Sequence, residues 1–151
     1  MFLEPIEVKP IAFVQRESPE ENDRNLNLVS RIVFKEDVVP GLEGIEEFSH
    51  IFIIFWLHKV KDSDKILVHP GASSDQPVGI FATRAPVRPN PIGLTVVDVV
   101  KRKGDTLWVR GLDAIDGTPV LDIKPYPDWA NGRLQVISDF KIPFWLQEKI
   151  R

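Results

Sequence analysis

Thr83, Arg84, Arg88 and Asn90 all lie on one proline-stiffened stretch, and together they could hold an anion or an amide. Residues 79–94 read Gly-Ile-Phe-Ala-Thr-Arg-Ala-Pro-Val-Arg-Pro-Asn-Pro-Ile-Gly-Leu. A guanidinium grips a carboxylate or phosphate through parallel N–H donors, and an amide held between prolines has its orientation set by the backbone. Pro86, Pro89 and Pro91 remove three backbone donors and push the residues before them into extended conformations, so the stretch is a stiff, irregular loop. Such a loop can present a site; the same residues also fit a surface turn whose arginines are solvated or cap loop carbonyls. A second polar cluster is Asp113 with Asp116 around Ala114 and Ile115. Its carboxylates could meet a ligand's ammonium or ribose hydroxyls, although Asp116-Gly117 is also a turn signal.

Other chemistry is excluded. The chain has no cysteine, which removes disulfides, thiolate metal sites and thiol nucleophiles and fits a cytoplasmic setting. It has no glycine-rich phosphate loop, dinucleotide fingerprint, His-Glu-x-x-His or nucleophile elbow. His50, His58 and His69 do not fall into ligand spacing, so no metal is expected. With 19 basic and 22 acidic residues the formal charge is -3, so a nucleic-acid partner would need a local basic patch. Arg84 with Arg88, Lys101-Arg102-Lys103, and Lys149 with Arg151 are the candidates. The longest uninterrupted apolar run, Ile51 to Leu57, is seven residues, against the ~20 of a spanning helix, and the opening residues are acidic where a signal peptide is basic. A soluble protein is expected.

The elements that would position these groups are mostly short strands. Residues 6–14 read as a first strand with Pro10 at an edge or bulge, residues 15–27 as a polar loop, and residues 28–34 as a second strand. Pro40-Gly41 opens a turn, and Ile45 to Phe48 allow one or two helical turns. Ile51 to Leu57, apolar on both faces, predicts a strand buried on both sides or covered by a partner subunit. Residues 92–100 and 106–110 form a hairpin about Lys103-Gly104-Asp105, and Asp116-Gly117 signals another between residues 112–115 and 118–123. Lys124-Pro125-Tyr126-Pro127 breaks the pattern, and residues 142–150 suit a short C-terminal helix. The fold class expected is mainly β: a single-domain β-barrel over residues 1–151 with short helical turns.

Three ordered blocks, residues 41–51 (Gly-Leu-Glu-Gly-Ile-Glu-Glu-Phe-Ser-His-Ile), 81–94 and 116–126 (Asp-Gly-Thr-Pro-Val-Leu-Asp-Ile-Lys-Pro-Tyr), resemble the TrmO family. The resemblance implies a homodimeric β-barrel that binds S-adenosylmethionine near the subunit interface and methylates N6 of threonylcarbamoyladenosine at position 37, in the tRNA anticodon loop. It places cofactor contacts on His58, Lys59, Arg84, Leu94, Asp113, Ala114, Ile115 and Asp116. Asp23-Arg24-Asn25 stands where the family commonly has Pro-Arg-Gln, making Arg24 the nearest counterpart of a further contact. Lys59 follows His58 where a glutamine is frequent, so its ammonium must point away from a bound sulfonium or meet the cofactor's carboxylate.

Methyl transfer needs an in-line approach of nucleophile to methyl in a water-poor pocket. Arg84 is expected to orient cofactor or substrate, and Asn90 to shape the same pocket. A carbamoylated N6 is a poor nucleophile, so a proton acceptor is expected, with His50, Asp122 and Tyr126 as candidates. The alternatives are a barrel that binds S-adenosylmethionine or another adenosine ligand without turnover, and an interaction domain whose apolar strand only mediates assembly.

Overall fold

Period-two burial is the feature that closes the sheet. In the computed structural model, which describes residues 4–16, 26–61, 65–69 and 76–126 together with Leu146, six antiparallel strands form a closed barrel. They are β1 (Ala12–Gln15), β2 (Val29–Phe34), β3 (His50–Trp56), β6 (Ile92–Lys103), β7 (Thr106–Arg110) and β8 (Pro119–Tyr126), with β4 (Leu67–Val68) and β5 (Val78–Gly79) pairing as a separate two-stranded arm. Around the barrel the order is β1-β2-β7-β6-β3-β8, and β8 pairs back onto β1. Alternate residues point inward: Ala12 and Val14, Ile32 and Phe34, Ile51, Ile53 and Phe55, Val97, Leu107 and Val109, and Val120 form one buried cluster with Leu42 and Leu112. Closure gives every barrel strand two neighbours, which is how small all-β domains avoid edge-to-edge pairing, although β6 meets its two on successive stretches, β3 over Ile92–Asp98 and β7 over Asp98–Lys103.

The expected barrel is present, with four local differences. Strand β1 begins at Ala12 and not at Ile6: Pro5 and Pro10 interrupt the backbone donors, and residues 5–9 are exposed. Residues 112–115 are not a strand, although Asp116 and Gly117 do form the turn, with Gly117 at φ 78°. The polar groups of that segment are engaged elsewhere, as described below. Strand β8 runs through Pro125 to Tyr126, because β1 pairs only with Pro119 and Val120, so Pro125 has β3 alone as a neighbour and its missing N–H interrupts no second ladder. The apolar run Ile51 to Leu57 is buried on one face only. Phe52, Ile54 and Trp56 point outward, half-buried, beside Val96, Leu94 and Ile92 of β6. Of the expected C-terminal helix only Leu146 is among the described residues, and it is helical.

Gly104, at φ 61°, closes the β6–β7 hairpin at the predicted turn, where a residue with a Cβ would be strained. Short 3-10 segments cover Glu36–Leu42, Ile45–Glu47 and Ile80–Ala82. Among the described residues no helix is long and apolar enough to cross a membrane.

Candidate functional site

All the sequence-predicted contacts that converge do so at one end of the barrel, where β3 finishes, β6 begins and the segment leading into β8 passes. A cavity of about 760 Å³ lies there. Phe55, Leu57, His58, Lys59 and Val60 line it from the end of β3, and Ile92 to Thr95 from the start of β6. The proline-rich loop contributes Arg84, Ala85, Pro86 and Arg88, and the segment before β8 contributes Asp113, Ala114, Ile115 and Thr118. Arg16, just after β1, completes the wall.

The loop is held by its own polar groups. The Thr83 hydroxyl donates to the Ile80 carbonyl at 2.8 Å and accepts from the Ala85 N–H at 3.2 Å. Arg88 donates from Nη1 to the carbonyls of Thr83 (2.9 Å) and Ala85 (3.0 Å), so it caps the loop it sits on. Arg84 donates from Nη2 to the Leu94 carbonyl, tying the loop to β6 while its guanidinium remains exposed beside the cavity. The two arginines of the motif thus divide their work: Arg88 stiffens the loop, and Arg84 faces the space where a ligand fits.

The 113–116 segment is pinned from a distance of about a hundred residues in sequence. Arg16 donates from Nη1 to the Ala114 carbonyl at 3.0 Å, and its backbone N–H donates to Asp116 Oδ1 at 2.8 Å. Thr118, buried, donates to the Ile115 carbonyl at 2.8 Å, and the Gly117 N–H donates to Val14 at 2.8 Å. These bonds replace strand pairing, so Asp113, Ala114 and Ile115 face the cavity as an irregular wall. Asp116 acts as a partner for Arg16 behind that wall and does not line the cavity.

Of the residues singled out in the sequence, His58, Lys59, Arg84, Leu94, Asp113, Ala114 and Ile115 are brought together. Asn90 is exposed and outside the lining; its carbonyl accepts from the Ile92 N–H at 2.7 Å. Arg24 lies outside the described residues. His50 and Tyr126 meet elsewhere, paired across β3 and β8 on the barrel wall, and Asp122 lies four residues back along β8, opposite Ile54. There His50 Nε2 lies 2.7 Å from Asp98 Oδ1, Ser49 Oγ is 2.8 Å from His50 Nδ1, and the His50 and Tyr126 rings meet edge-on at 6.3 Å. Asp122, 2.9 Å from the Lys124 ammonium, raises that lysine's pKa by accepting its hydrogen bond and by its charge. Among the described residues no cluster of three or more His, Asp or Glu could hold a metal ion.

Arg16, Phe55, Gly93 and Thr95 belong to the site without having been singled out. Arg16 lies in a polar stretch that reads as loop, and only tertiary contact reveals its role. Gly93 sits opposite Phe55 in the β3–β6 ladder, and a Cβ placed on it would overlap the buried Phe55 ring. Gly93→Ala is therefore expected to displace that ring into the cavity and to lower stability by ~1–3 kcal/mol, as overpacking does. Chemical denaturation checks this; unchanged stability would mean that the ring swings aside without cost.

The family model described as the tRNA-methyltransferase O N-terminal domain matches residues 12–131. An S-adenosyl-L-methionine-binding protein of Archaeoglobus fulgidus is 39% identical over 126 residues, 83% of this chain and 89% of that one. A tRNA (adenine(37)-N6)-methyltransferase of Mus musculus is 49% identical over 87 residues, 57% of this chain and 20% of that one. The solved structure of TrmO from P. aeruginosa superposes with a TM-score of 0.73 at 30% identity, covering 95% of this chain and 62% of that one. The chain spans from 28% to 89% of the length of the A. fulgidus protein and three other curated relatives.

Proposed function

The chain belongs to the family of tRNA-methyltransferase O N-terminal domains, and on that premise we propose that it is an S-adenosylmethionine-dependent methyltransferase acting on N6 of an adenosine in a tRNA anticodon loop. The observation that carries this reading is the cavity itself: a rigid arginine loop, a strand end and an irregular acidic segment meet around about 760 Å³, a volume in the usual range for small-ligand sites. The donor set fits the cofactor. Lys59 and Arg84 can meet a carboxylate, Asp113 can accept from ribose hydroxyls or an ammonium, and Phe55, Leu57 and Ile115 offer apolar surface to a purine. Bound there, S-adenosylmethionine supplies an electrophilic methyl group on a sulfonium. The protein's part is to fix the direction of approach and to exclude water.

We extend the reading to threonylcarbamoyladenosine at position 37 as substrate, to a homodimer, and to the cytoplasm as its place of action. The dimer is supported by the outer face of β3 and β6. Ile92, Leu94 and Val96 are 43%, 42% and 40% exposed in the single chain, next to half-buried Phe52, Ile54 and Trp56. Such a patch is what a second copy would cover. Ile92 and Leu94 also line the cavity, so that pairing would wall it further. Asn90 shapes the loop entrance in this reading without touching the cofactor.

A second reading, a barrel that binds the cofactor without turnover, is favoured by the name of the A. fulgidus relative. Calorimetry with S-adenosylmethionine, followed by transfer of a labelled methyl group to unfractionated tRNA, separates the two. Heat without transfer selects the binding module, and the absence of heat overturns both.

A further inference from the structure

Phe81 stands 76% exposed, the most exposed aromatic side chain among the described residues. It does not owe that exposure to a loose backbone. It occupies the middle of the 3-10 turn Ile80–Ala82, between buried Ile80 and Thr83, whose N–H and hydroxyl both bond back to the Ile80 carbonyl at 3.1 and 2.8 Å. The Ile80 N–H is in turn taken by the Ile66 carbonyl at 2.8 Å, docking the turn on the β4–β5 arm. A phenyl ring is thus held in water by a fixed turn three residues before Arg84. The neighbouring cavity is lined by four cationic side chains, Arg16, Lys59, Arg84 and Arg88, against the single carboxylate of Asp113, on a chain whose net charge is -3.

A rigid exposed aromatic beside a local concentration of positive charge is how single-stranded nucleic acid is held: the cations track the backbone and the ring stacks on a base. We infer that Phe81 is a stacking platform for an unpaired base of the RNA substrate, flanking the adenosine that enters the cavity. This rests on the methyltransferase reading above. The charge favours RNA over an apolar protein partner, which would gain little from a cationic rim.

Phe81→Leu, Phe81→Ala and Phe81→Trp test it, because the exposed position leaves folding unaffected. With unfractionated tRNA, Leu and Ala are expected to raise KM and weaken tRNA binding in a filter assay about 10-fold or more, the value of one stacked base. Trp retains both, and S-adenosylmethionine affinity stays constant throughout. Equal behaviour of Leu and Trp, or a changed sedimentation coefficient with unchanged tRNA affinity, would overturn the inference in favour of an apolar protein contact. If the wild-type chain transfers no methyl, the methyltransferase reading fails. The filter assay on the same variants still decides Phe81, and equal tRNA affinity across them all, or no binding at all, sinks it.

Discussion

Arg84→Ala is expected to weaken S-adenosylmethionine binding on the order of 10- to 100-fold, the loss of a charge-assisted hydrogen bond of ~1.5–3 kcal/mol, and to lower turnover further. The guanidinium has two engagements: one arm holds the Leu94 carbonyl, and the rest lies exposed at the cavity. Removing it takes away a cationic partner for the ligand and also the tie between the proline-rich loop and β6, so the position of the whole loop relaxes. Misplacement of a reacting group by as little as an ångström is costly in a reaction that depends on alignment. Arg84→Lys keeps the charge without the planar fork and should fall between wild type and alanine. Arg88→Ala provides the contrast. Its Nη1 donates to the Thr83 and Ala85 carbonyls, so its loss should appear first in loop stability and only secondarily in cofactor affinity. Calorimetry on the three variants reads this ordering; equal affinity of Arg84→Ala and wild type would remove Arg84 from the site.

In the proposed homodimer, Val96→Glu is expected to separate the subunits and to reduce methyl transfer with them. Val96 pairs with Phe52 across the β3–β6 ladder on the outer face and is 40% exposed in the single chain. A glutamate there is hydrated in the monomer, so the barrel should keep its fold and melting behaviour. In a symmetric dimer the substitution occurs twice in one interface, and two carboxylates taken from water without partners cost several kcal/mol. Analytical ultracentrifugation is the measurement: a halved mass with an unchanged circular dichroism spectrum is predicted. A dimer that survives the substitution would place the interface elsewhere.

Much of the architecture was legible because alternation is a local signal. Strands β2, β3, β6 and β7 follow from β-branched and aromatic runs, and the Gly104 hairpin from its turn residues. The start of β1, the passage of β8 through Pro125 and the irregularity of residues 112–115 were not, since each is decided by which neighbours the chain meets. Pro125 is tolerated because β8 has a single neighbour there, and residues 112–115 are held by Arg16 from just beyond the adjacent strand β1. The same division holds at the site. The loop carrying Arg84 announces itself through its prolines, while Arg16 and Gly93 acquire their roles only from contacts distant in sequence.

The enzymatic reading is tested most directly by mass spectrometry of nucleosides from unfractionated tRNA incubated with the purified chain and S-adenosylmethionine carrying a deuterated methyl group. The prediction is a single new nucleoside heavier by that methyl, located on N6 of an adenosine derivative and missing from the Arg84→Ala reaction. A tRNA digest with no label, from a protein shown by calorimetry to be saturated with the cofactor, would contradict it.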